Sequence, residues 1–138
     1  MRAPAERLRV DVRGTAGHAA GPHVTGGPVT IAANILITIQ AMLSREVDPR
    51  EAVVVSFGQV ESGTAYNVIP EQANLWGTLR AFNPKTRDFV QRRIATVAPA
   101  LPQALRGPAS VAHPRHHAQH EKTPTLPQDI RPHPAPIF

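Results

Sequence analysis

Three polar side chains in this chain sit where their chemistry could be used. His18 lies in Gly14-Thr15-Ala16-Gly17-His18-Ala19-Ala20-Gly21-Pro22-His23, Asn67 in Ser62-Gly63-Thr64-Ala65-Tyr66-Asn67-Val68-Ile69-Pro70, and Arg80 in Leu75-Trp76-Gly77-Thr78-Leu79-Arg80-Ala81-Phe82-Asn83-Pro84. An imidazolium can stabilise the charge that builds on a carbonyl oxygen in a tetrahedral transition state. A carboxamide can donate to an oxyanion or a carboxylate without adding charge. A planar guanidinium meets a carboxylate with two parallel hydrogen bonds, which lysine does not reproduce. Each residue also has a plainer reading: a loop histidine bonded to its own backbone, an asparagine shaping a turn, a solvated strand arginine. The chain has no cysteine, which excludes a thiol nucleophile, a zinc ribbon and a disulfide scaffold.

The elements that must hold these residues are legible from periodicity. Leu8, Val10 and Val12 alternate with Arg9, Asp11 and Arg13, as in a half-buried strand. A loop rich in glycine follows, and Pro28 suits the first turn of a helix. Ile31, Ile35, Ile39, Met42 and Leu43 recur at helical spacing, and the helix is expected to stop near Val47, before Asp48-Pro49. A second strand is expected over 52–60, with Phe57 and Val60 around Gly58, and then a turn-rich stretch over 61–67. A third strand is expected over 73–82, with Leu75, Gly77, Leu79 and Ala81 on one face. Asn83-Pro84 reads as the cap and first turn of a second helix, whose apolar face is Phe89, Val90, Ile94 and Val97. Pro99 and Pro102 are expected to end that helix early. A short fourth strand is expected over 109–112.

This order is β-α-β-β-α-β, so the fold class is α+β: a ferredoxin-like antiparallel sheet with two helices on one face. The domain covers 7–112, after a short lead at 1–6. Residues 113–138 hold five of the seven histidines and six of the fifteen prolines without any period, and are expected to be a disordered tail. His116, His117 and His120 there support at most adventitious nickel or zinc binding, since the carboxylates and helix formers that would pre-organise a site are lacking.

The 138 residues carry 15 Lys+Arg against 10 Asp+Glu, a formal charge of +5. Those arginines are scattered, mostly beside acids, and form neither a basic stripe nor an aromatic stacking platform, which argues against nucleic-acid binding. No uninterrupted apolar run reaches the roughly 18 residues of a membrane span, and the first residues do not read as a signal peptide. A cytoplasmic setting without membrane association is the expectation.

The three motif segments, in this order and spacing, together with Ser44-Arg45-Glu46-Val47-Asp48-Pro49, resemble the dimerisation (lid) domain of the metal-dependent amidohydrolase and exopeptidase family. That family includes aminoacylases, hippurate hydrolase and N-acyl-amino-acid amidohydrolases. Its lid reads roughly G-x-x-G-H-A-A-x-P-H, S-R-x-V-D-P, G-T-A-x-N-V-I-P and G-T-x-R-x-F, and the resemblance covers about residues 7–106. It implies that His18 is the lid histidine, which in dimeric members reaches the partner subunit's active site and polarises the scissile carbonyl. It implies that Asn67 contacts substrate, that Arg80 binds the substrate's free carboxylate, and that His23 has a packing or loop-fixing role. The activity implied for the full-length family enzyme is hydrolysis of N-acyl amino acids such as hippurate, with two divalent metal ions, zinc or manganese. The lid itself supplies no metal ligand.

Two departures are visible. Family lids usually have Asp where Gly27 stands, and the resemblance dissolves after Val111 into the His/Pro-rich stretch, as in a truncated or frame-shifted product. The expectation is a homodimerising lid, inactive without the metal-binding catalytic domain. A non-enzymatic ferredoxin-like pairing module is the alternative from another class. His18, Asn67 and Arg80 favour the first, because pairing alone needs none of them.

Overall fold

The computed structural model describes Ala3, residues 5–105 and, by their backbone, residues 110–111 and 115–118. Strand β1 (Ala5–Arg13) leads through the two-residue β2 (Gly17–His18) and a single 3-10 turn, Pro22–Val24, into helix α1 (Pro28–Glu46). Strands β3 (Val53–Ser62), β4 (Val68–Ile69) and β5 (Gln72–Ala81) follow, then helix α2 (Pro84–Ala104) and the short β6 (Ser110–Val111) and β7 (Arg115–Ala118). The main sheet runs β3-β5-β1-β6, all neighbours antiparallel, with β7 also paired to β1. β2 and β4 form a separate antiparallel ribbon. The expected α+β order is what the chain adopts, with the ribbon and β7 added to it.

The alternation read from the sequence sets the two faces. Leu8, Val10 and Val12 of β1 and Ala73, Leu75 and Leu79 of β5 are buried under Ile31, Ile35 and Ile39 of α1 and Val90, Ile94 and Ala98 of α2. Arg9, Asp11, Trp76 and Thr78 stand on the opposite face, where the Arg9 guanidinium lies 4.4 Å from the Trp76 ring centre and bonds Asp11 at 2.8 Å. β3 is an edge strand, paired on one side only among the described residues. A bulge between Phe57 and Gln59 lets Phe57 face Gly77 and Val60 face Leu75. Two residues three apart thus share a side, which a plain strand of period two forbids.

Several boundaries differ from expectation. α2 does not end early: it runs to Ala104 with Pro99 and Pro102 inside it. Each proline removes one helical hydrogen bond, but Val90, Ile94, Ala98 and Pro102 form a buried stripe four residues apart. That continuing apolar contact outweighs the lost bonds. β1 begins at Ala5, two residues into the expected lead. Within the expected tail, the backbone of Arg115–Ala118 pairs with Glu6–Arg9, so this part is strand; the other tail residues, 113–114 and 119–138, lie outside the described residues.

α1 is, by length and composition alone, long and apolar enough to cross a membrane. Its inner face, Ile31, Ala32, Ile35, Ile39 and Met42, is buried against the sheet. Ile37 on its outer side is exposed. The N-cap of α1 is Gly27 at φ 38°, and its left-handed conformation suits glycine and explains why a capping side chain can be absent there.

The two helices are tied by Arg93, which donates to both Glu46 carboxylate oxygens at 2.8 and 2.9 Å. That hydrogen bonding holds the Glu46 carboxyl below its ordinary value of 4.5. A carboxyl depressed by folding stabilises the folded state above its unfolded pKa, and this is lost as pH falls through the folded value. The melting-temperature gap between the native chain and Glu46→Gln should therefore shrink as the pH is lowered below the ordinary glutamate range. It should also shrink with added salt, since the pair is exposed. Thermal melts across pH check both; a gap unchanged from neutral to acid pH contradicts the linkage.

Candidate functional site

The ribbon joins two stretches that read as loops. Gly17 pairs with Ile69 and His18 with Val68. The Ala19 amide donates to the Asn67 carbonyl at 3.1 Å, which puts His18 and Asn67 side by side at one end of the domain. The ribbon is fastened to the sheet by the Gly14 amide on the Glu71 carbonyl at 2.7 Å. Gly17 packs directly on Thr25: a Cβ at Gly17 would lie 2.3 Å from Thr25 Cγ2. Thr25 is buried, and its hydroxyl donates to the Pro22 carbonyl at 3.1 Å. Thr25 thus packs against Gly17, the residue just before His18. Sequence reading missed Thr25, although a threonine just before a glycine pair and the helix-starting proline was the available signal.

The His18 side chain is exposed, and its Nδ1 accepts from the Ala20 amide at 3.0 Å. Asn67 and Tyr66 are exposed, Tyr66 completely so. Gly63, at φ 75°, turns the chain from β3 into this loop, in keeping with a loop-shaping role. A cleft of about 860 Å³ opens beside the ribbon. Ala19, His23, Tyr66, Val29, Val68 and Leu105 are among its walls, so His23 lines the cleft from the 3-10 turn.

Arg80 is elsewhere. On β5 it stands opposite Ala5 of β1 and Val54 of β3, and it donates to the Ala3 carbonyl at 3.3 Å. The ribbon adjoins the other end, where Arg13 faces Gln72. At about 3.3 Å per residue, Ala5 and Arg13 are about 26 Å apart along β1. One copy of the chain thus brings His18 and Asn67 together but keeps Arg80 at the opposite end. The backbone of β7 runs toward that same Arg80 end, with Ala118 opposite Glu6.

Among the described residues no group of three or more His, Asp or Glu side chains is placed to hold a metal ion. The donor set for the two divalent ions implied by the resemblance is therefore not found there, and no chemical step is assigned to a metal in this chain.

The family model of the peptidase dimerisation domain matches residues 5–104. An N-acetyldiaminopimelate deacetylase of Leuconostoc citreum is 44% identical over 94 residues, covering 68% of this chain and 24% of that protein. Its counterpart in Bacillus pumilus is 31% identical over 123 residues, covering 89% of this chain and 33% of that protein. The chain thus spans 24% and 33% of the length of these two relatives. Among solved structures, the YXEP protein of Bacillus subtilis, described as a dinuclear metal-binding peptidase of the M20 family, superposes with a TM-score of 0.62. It shares 24% identity, over 84% of this chain and 26% of that one, so the likeness speaks for the fold. With all four motifs inside the matched span, the chain belongs to the peptidase dimerisation domain family of the M20 amidohydrolases.

Proposed function

We propose that this chain is the pairing and lid part of an enzyme that hydrolyses the amide bond of N-acyl amino acids, and that it acts as a homodimer. The observation that carries this reading is the ribbon holding His18 beside Asn67 at the end of the domain farthest from Arg80. In such an enzyme the divalent ions would be held by the catalytic domain and would supply the activation of water. His18 donates to the carbonyl oxygen as it becomes an oxyanion, Asn67 orients the substrate, and Arg80 binds the free carboxylate. The substrate of the curated relatives, an N-acetylated diamino acid, belongs to the N-acyl amino acid class and favours it over hippurate for this chain.

Pairing is supported by the edge strand and the helix beside it. β3 carries exposed Val54 and Val60 and no proline, a hazardous edge if left open. Ile37 on α1 is 69% exposed, apolar surface that a partner helix could cover. Sedimentation equilibrium at micromolar concentration and physiological salt should show a dimer, weakened by Ile37→Glu. A folded chain that stays monomeric removes the pairing claim.

Activity is tested in a chimera in which residues 5–104 replace the matching segment of the Leuconostoc citreum deacetylase. The isolated chain should turn over no N-acyl amino acid with zinc or manganese added, whereas the chimera should. Folded, dimeric chimera without turnover counts against the enzymatic reading and for the pairing module alone.

A further inference from the structure

Three successive backbone amides are committed around His18. That of Ala19 donates to the Asn67 carbonyl at 3.1 Å, that of Gly21 to the His18 carbonyl at 2.9 Å, and the one between them, Ala20, to His18 Nδ1 at 3.0 Å. The first two fix the backbone on either side of the histidine. The third fixes its ring.

A neutral imidazole carries one N–H and one lone pair, and only the nitrogen with the lone pair can accept. With the Ala20 N–H aimed at Nδ1, the proton of the neutral ring belongs on Nε2. The other tautomer would point two N–H groups at each other across 3.0 Å. We propose that the Ala20 amide locks neutral His18 in the Nε2–H tautomer, so that His18 offers a hydrogen-bond donor, and no base, to whatever lies beyond the ribbon.

This rests on the reading of His18 as the lid histidine and sharpens it. A donor role through Nε2 needs no second proton, so the neutral ring already carries the group required to meet an oxyanion. A ring held in this way is also pre-organised: the donor is in place before charge develops, which is what makes such groups effective. General-base work at Nε2 would need a lone pair there, and the neutral ring in this geometry has none. Ala20 is thereby a positioning residue acting through its main chain.

The test is the imidazole nitrogen spectrum of the full 138-residue chain, labelled with 15N, at about pH 8.5, above the ordinary imidazole range. A His18→Gln variant assigns the His18 signals. Histidine in water already leans toward Nε2–H, so the informative quantity is the gap between the Nδ1 and Nε2 shifts. That gap should be wider for His18 in the folded chain than in the same chain denatured in urea, with Nδ1 as the unprotonated nitrogen. Ala20→Gly, which keeps the amide, should preserve the wide gap, and Ala20→Pro, which removes it, should narrow the gap to the denatured value. Should Ala20→Pro not fold, the folded-against-denatured comparison of the native chain still decides. A folded gap equal to the denatured one, or a proton on Nδ1, overturns the proposal. The outcome is independent of turnover: a locked tautomer with an indifferent His18→Ala chimera would leave the lock standing and remove the catalytic role.

Discussion

Gly77→Ala should destabilise the domain by about 3 kcal/mol, a large share of what a domain of this size has to lose. A Cβ at Gly77 would stand 2.5 Å from the Ser56 carbonyl oxygen and 2.9 Å from Phe57 Cδ1. Neither neighbour can yield easily. Ser56 belongs to the ladder that pairs β3 with β5, and Phe57 packs against the core directly across from Gly77. A glycine inside a strand marks such a close approach. Gly58, on the same pair of strands, has nothing within 4 Å of its would-be Cβ, so Gly58→Ala should leave stability nearly unchanged. At roughly 4–8 °C per kcal/mol for a domain of this length, the melting temperature should fall by more than about 10 °C in the first variant only. Equal melting points for the two would mean that the strands part cheaply at Gly77. The glycine of the motif around Arg80 would then owe nothing to packing.

That glycine shows what could and could not be read from residues alone. Gly77 falls at an inward position of a period-two pattern, so its face was legible, but its tight fit depends on where the Phe57 ring lies, which period does not encode. The core strands and α1 were legible because long apolar repeats leave one arrangement that buries them. The ribbon was not: two-residue strands have no period, and Gly17-His18 and Val68-Ile69 become strands only because each finds the other. α2 outruns its prolines because a buried stripe beats a local breaker, a tertiary effect invisible to propensity. The candidate site divides in the same way. Motifs alone single out His18, Asn67 and Arg80 as candidates, but their separation into two ends of one domain follows from strand direction and appears only in the fold.

The separation leads to the largest effect expected in the enzyme. In the chimera with the deacetylase, His18→Ala should lower kcat about 100- to 1000-fold, the usual cost of removing one oxyanion donor. Arg80→Ala should instead act mainly on KM, since a charged hydrogen bond to a carboxylate is worth about 1.5–3 kcal/mol. A single copy holds the two residues at opposite ends of a strand about 26 Å long. On the proposed roles, a compact substrate could not touch both ends of one copy, so each site would take His18 from one subunit and Arg80 from the other. Mixing the two variants tests this directly. Random exchange of subunits makes half of the dimers mixed, and in each of these one of the two symmetric sites keeps both native residues. Assayed at substrate far below KM, where both variants turn over little, the mixture should then regain about a quarter of native turnover. If His18 and Arg80 serve a site from the same subunit, every mixed site lacks one of them and nothing returns. Recovery therefore decides whether the distance between the ribbon and Arg80 is an accident of one chain or the reason the enzyme needs two.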